Sequence, residues 1–150
     1  MSFQGIDLSK HNGNVDFSKV KASGKVDFAI LRAGYGRLSS QRDTMFDSYY
    51  SSAKTVGIPV GAYWYSYALS ETEARLEADA CVEVLKGKQY EYPIFFDVEE
   101  SNQLALGKEK VSAIIKAFCG RLENAGYWVG IYMSASPASN LLTDELKNRF

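Results

Sequence analysis

The sequence predicts an α/β fold built on a parallel sheet, and two observations carry that expectation. Short apolar runs that read as strands alternate, five times from Phe3 to Met133, with segments whose apolar residues recur at helical spacing. The connections are short, and glycines close the helical stretches, Gly24 being suited to the left-handed position after a helix. Strands separated by helices pair in parallel through right-handed crossovers. A chain of 150 residues is expected to form one domain, residues 1–150, with a sizeable core and no linker.

The first strand is read from Phe3 to Leu8 and gives way to the polar turn Ser9-Lys10-His11-Asn12-Gly13-Asn14. A short helix follows from Asp16 to Ala22. The second strand, Val26 to Ala33, precedes Gly34-Tyr35-Gly36 and a polar loop ending at Asp43. The next helix spans Thr44 to Val56, with Phe46, Tyr49, Ala53 and Val56 on one face. Pro59 opens a third strand, Val60 to Tyr65. Ser70 and Glu73 have capping-box spacing, and the helix they start should bury Ala74, Ala78, Cys81, Val82 and Leu85. The fourth strand begins at Tyr92 and turns acidic at Asp97. Val111, Ile114, Ile115, Phe118, Cys119 and Leu122 form the clearest helical stripe. A fifth strand is expected from Trp128 to Met133, and a last helix from near Pro137 carrying Leu141, Leu142 and Leu146.

Composition excludes several function classes. Hydrophobic residues make up 46% of the chain, which describes a globular protein. The net charge of −1, with both signs mixed, offers no footprint for nucleic acid. No apolar run approaches a membrane span, and the start, Met1 to Gly5, has no signal-peptide pattern. Cys81 and Cys119 both fall on apolar stripes and read as small core residues. His11 is the sole histidine, so neither a zinc site nor a serine triad is expected, and no cofactor is required.

The chemistry is expected at Asp97-Val98-Glu99. Strand alternation points Asp97 and Glu99 the same way and Val98 the other. Adjacent, partly desolvated carboxylates cannot both ionise easily, so one should keep its proton above the usual range. A proton donor beside an anion is the pair that cleaves glycosidic bonds. In parallel sheets functional groups gather at the carboxyl ends of the strands. Asp7, Arg32, Tyr63, Tyr65, Asp97, Glu99 and Tyr132 all fall there.

The chain resembles the lysozymes of glycoside hydrolase family 25, the Chalaropsis or Cellosyl type common among phage endolysins. The resemblance rests on Gly5-Ile6-Asp7-Leu8-Ser9, Asp27-Phe28-Ala29-Ile30-Leu31-Arg32-Ala33, Gly57 to Tyr65, Tyr92 to Glu99 and Val129-Gly130-Ile131-Tyr132, in family order. It implies a (β/α) barrel of the modified TIM type, five β/α units followed by three closing strands. This sequence ends at Phe150 after the fifth unit, so the closing strands are expected to be missing and the sheet edges open to self-association. The implied activity is cleavage of the β-1,4 bond between N-acetylmuramic acid and N-acetylglucosamine in peptidoglycan, at the bacterial cell wall. Glu99 resembles the general acid, Asp97 its assisting partner and Asp7 a third acid of the site. Tyr63 and Tyr132 resemble the wall around the cleaved sugar. Of the neighbours Trp64 and Tyr65, which face opposite sides, one lines the cleft. Arg32 pairs either with a site carboxylate or in a structural ion pair. Strand spacing does not choose between retention, inversion and participation of the substrate's acetamido group. Two other readings stand: a non-catalytic, glycan-binding or self-associating fragment of such a lysozyme, and a doubly wound binding domain. The turn after the first strand lacks the G-x-G-x-x-G spacing that the latter calls for.

Overall fold

Period-two alternation sorts the strands of this protein into a dry face and a wet face, and the helices follow from that division. The structure, a computed structural model, describes residues 3–133 together with Leu142, Thr143 and Leu146. Five parallel strands lie in the order in which they occur: β1 (Gly5–Leu8), β2 (Phe28–Tyr35), β3 (Val60–Tyr65), β4 (Ile94–Asp97) and β5 (Val129–Tyr132). Helices α1 (Phe17–Ala22), α2 (Phe46–Thr55), α3 (Glu71–Leu85), α4 (Ser101–Leu104) and α5 (Lys108–Asn124) fill the crossovers. The parallel five-stranded sheet agrees with the sequence reading. Among the described residues β1 pairs only with β2 and β5 only with β4, so the sheet is open and not a closed barrel.

The dry face is made by Ala29, Leu31 and Ala33 of β2, Val60, Ala62 and Trp64 of β3, Ile94 and Phe96 of β4, and Val129 of β5, all buried. Helix α5 lays its full expected stripe on it, from Val111 to Leu122, and Phe118 stacks on Phe96 with centroids 3.8 Å apart. Such a pair contributes about 0.5–1.5 kcal/mol beyond its buried area. Cys81 and Cys119 are both buried, as their stripes imply. Ser70 caps α3 by accepting the Glu73 N–H at 3.1 Å, as the spacing predicts.

Four details depart from the sequence reading. Strand β2 runs past Ala33 to Tyr35, with a register shift between Arg32 and Gly34. Gly34 is a site of close approach: a Cβ there would meet the Trp64 ring at 2.6 Å and the Gln41 carbonyl at 2.7 Å. Helix α3 buries Glu77 and Val84, while Val82 is only half-buried, because its inward stripe runs 74, 77, 78, 81, 84, 85. The single-turn α4 was not anticipated in a segment read as loop. Strand β4 pairs only from Ile94 to Asp97, so Glu99 lies beyond its last paired residue, although the Val98 N–H still donates to the Tyr132 carbonyl at 3.0 Å. The helix expected from near Pro137 lies outside the described residues, except that Leu142 and Leu146 are buried.

Candidate active site

Alternate residues of neighbouring strands, carried on into the loops, line one cavity of about 610 Å³ that runs along the wet face of the sheet to its carboxyl end. Asp7 and Ser9 come from β1 and its turn, Phe28, Ile30 and Arg32 from β2, and Tyr63, Tyr65 and Tyr67 from β3 and its loop. Phe95, Asp97 and Glu99 come from β4, and Tyr132 from β5. The register sets Arg32 beside Tyr63, Tyr65 beside Asp97, and Asp97 beside Tyr132. All of Asp7, Arg32, Tyr63, Tyr65, Asp97, Glu99 and Tyr132 therefore face one space. Room for the aromatic floor comes from glycines on the edge strands: a Cβ on Gly5 would fall 2.2 Å from the Phe28 ring, and one on Gly130 2.7 Å from that of Phe95.

The two carboxyls of the central pair differ in depth. Asp97 is 6% exposed, whereas Glu99 stands open to solvent. Burial, then the charge of Glu99 and a hydrogen bond with it, then the charge of Asp7, push the Asp97 carboxyl up to about 8. A bond between two carboxyls needs a proton between them, and Asp97, raised to about 8, holds that proton at neutral pH. Asp97 Oδ1 is buried with no partner among the described residues.

Around the pair, Tyr63 is pushed up to about 12, chiefly by burial, with Arg32 opposing and Asp7 and Asp97 adding. Burial also raises Tyr65, whose hydroxyl donates to Glu100 Oε2 at 2.8 Å. Trp64 is fully buried and donates its indole N–H to the Gly36 carbonyl at 2.8 Å, so Tyr65 is the one that lines the cleft. Arg32 makes a structural ion pair: its Nε meets Asp43 Oδ2 at 2.8 Å, and the buried Asp43 also accepts the N–H groups of Lys10 and Met45. The guanidinium still lines the cavity, and its Nη2 has no partner among the described residues.

Sequence reasoning missed Ser9, His11, Tyr67 and Phe95 as lining residues. For Ser9, Tyr67 and Phe95 the signal was available, since each lies two residues from a residue that was singled out. Among the described residues no group of three His, Cys, Asp or Glu side chains is arranged to hold a metal ion.

The model of the glycosyl hydrolases family 25 matches residues 6–149. The chain belongs to that family. Among its relatives is the autolytic lysozyme of Clostridium acetobutylicum, 30% identical over 129 residues that cover 86% of this chain and 37% of the relative. The modular autolysin LytC of Streptococcus pneumoniae is 32% identical with a TM-score of 0.80, over 91% of this chain and 33% of that one. The bacterial lysozyme of Streptomyces coelicolor gives 26% and 0.77, over 93% and 66%. The family 25 chain described here thus spans about a third of the length of the first two relatives.

Proposed function

We propose that the chain carries the active cleft of a peptidoglycan hydrolase, an N-acetylmuramidase that cleaves the β-1,4 bond between N-acetylmuramic acid and N-acetylglucosamine. The observation that carries this reading is the Asp97–Glu99 pair, a buried carboxyl raised to about 8 against an exposed one, in a cleft walled by tyrosines. Family membership and the autolytic activity named for the Clostridium relative support it. So does the structure of LytC in complex with a synthetic peptidoglycan ligand. On this reading the protein works at the bacterial cell wall, and its open sheet is the β/α part of a modified TIM-type barrel.

Glu99, on the open side of the pair, is the general acid: the shared proton passes to it and then to the leaving glycosidic oxygen. Asp97 is left ionised below the sugar, where it orients the 2-acetamido group or stabilises positive charge developing at the anomeric carbon. Asp7 is the third acid, adding negative charge from β1. Tyr63, Tyr65 and Tyr132 pack against the sugar rings, and Arg32, held by Asp43, offers a donor to ring substituents. The chemistry calls on no cofactor.

Digestion of purified peptidoglycan, with new reducing ends identified by mass spectrometry, tests the proposal. Muramic acid reducing ends from wild type, absent with Glu99→Gln, are expected. A folded chain that releases none would sink the hydrolytic reading and leave the cleft as a glycan-binding surface. Glucosamine reducing ends would assign the wrong bond.

A further inference from the structure

Glu77 projects from the middle of α3 into the core and is fully buried, yet it lines no part of the cleft. Its Oε1 accepts the Ser66 hydroxyl at 2.7 Å and its Oε2 accepts the Tyr67 N–H at 2.8 Å. Ser66 Oγ in turn accepts from Gln103 Nε2 at 2.9 Å and from the Ala68 N–H at 3.2 Å. With both its lone pairs used, the hydroxyl has only its proton left, and that goes to Glu77. Gln103, also fully buried, gives its second amide hydrogen to the Ala68 carbonyl at 2.7 Å. The Ser66 N–H donates to the Asp97 carbonyl at 3.0 Å.

Ser66 is thus the hub of a buried network joining three elements. It sits between Tyr65 and Tyr67, both of which line the cleft. Gln103 belongs to α4, the turn that follows Glu99 and Glu100 directly. A buried glutamate costs stability, and an apolar residue would fill the same stripe position in α3. What the carboxylate gives in return is two fixed bonds to one loop.

We propose that Glu77, Ser66 and Gln103 are positioning residues, a buried clamp that fixes the loop after Tyr65, which carries Tyr67, against the loop carrying Glu99 and Glu100. The clamp sets the width of the cleft between its aromatic wall and its acids, and this rests on the reading of that cleft as a glycan site. It acts only through the groups it positions, since none of the three side chains reaches the cavity. A wall held at the wrong distance weakens the ground-state and transition-state complexes alike, which raises KM, and an acid held at the wrong distance lowers kcat beside it.

The test uses the 150-residue chain with Gln103→Leu, and with Ser66→Ala as a second variant that adds no volume. Amide hydrogen exchange and kinetics on solubilised peptidoglycan are read together. In a folded variant, exchange at Tyr67 and Ala68, and at Leu104 and Ala105 on the loop side that follows Glu99 and Glu100, is expected to quicken about tenfold or more, since all four N–H groups are hydrogen-bonded. Apparent KM should rise about fivefold or more, and kcat should fall beside it, because the segment that loosens carries Glu99. Unchanged exchange at these amides in either folded variant overturns the clamp, and so does a loss confined to kcat. If wild type itself cuts nothing, the hydrolytic reading falls alone. Exchange then decides: quickening in both loops keeps the clamp, and quickening in one or neither ends it.

Discussion

Asp97 and Glu77 are both buried carboxyls raised by desolvation, to about 8 and about 7, yet their surroundings make them different devices. Both oxygens of Glu77 accept hydrogen bonds from one loop, and the Ser66 hydroxyl that bonds it accepts in turn from Gln103. Asp97 keeps one oxygen without a partner, looks into the cleft and faces the charges of Glu99 and Asp7. Equal burial therefore does not mean equal role. A carboxyl with every bond committed holds structure, and one with a bond to spare beside another acid holds a proton for use.

The contrast is broken most directly at Glu99. Glu99→Gln should lower peptidoglycan turnover by about a hundredfold or more while leaving the melting temperature close to wild type, because Glu99 is exposed. Initial rates beside thermal melts check both halves. Next comes Glu77→Gln, which places an amide N–H₂ where the Ser66 hydroxyl or the Tyr67 N–H needs an acceptor. It should cost about 1–3 kcal/mol in a denaturant titration, the price of one unsatisfied buried group. Tyr65→Phe removes the bond to Glu100 and should cost less, about 0.5–1.5 kcal/mol by the same titration.

Stability against pH sharpens the comparison further. The Asp97 carboxyl stands at 3.8 ordinarily and near 8 in the fold, so the folded chain holds a proton that the unfolded chain has released. Its contribution is full below about pH 4 and is lost as pH rises through about 8. Glu77, raised from 4.5 to about 7, acts in the same direction over a narrower window. Melting temperature should therefore fall between pH 5 and pH 9, and Asp97→Asn should flatten that fall more than Glu77→Gln does.

These two carboxyls also mark what the sequence makes legible. The dry face could be read because apolar residues at period two and at helical spacing have one physical cause, burial. The acids at the end of β4 could be read because a strand turning acidic within one residue has no packing explanation. Glu77 could not, because a charged residue on a helix reads as solvated unless its place in the 74, 77, 78, 81 stripe is weighed above its charge. Gln103 was hidden for a related reason: its partners, Ser66 and Ala68, are 37 and 35 residues away, and no local pattern signals a contact across two loops. Tyr67 was missed by stopping the count at the strand's end, although the same period carries on for one more step into the loop. Arg32 was legible as a strand-end charge, but its partner Asp43 sits in a loop whose path only the fold defines.

A proton held by Asp97 beside Glu99 at neutral pH is what the proposed chemistry needs first. Carboxyl-carbon NMR across a titration from pH 3 to pH 10 reads that proton without any substrate. One carboxyl titrating near pH 8, lost in Asp97→Asn and moved down but still raised in Glu99→Gln, is the predicted result. Both carboxyls titrating near pH 4 would contradict it, because the site would then hold two anions and no acid.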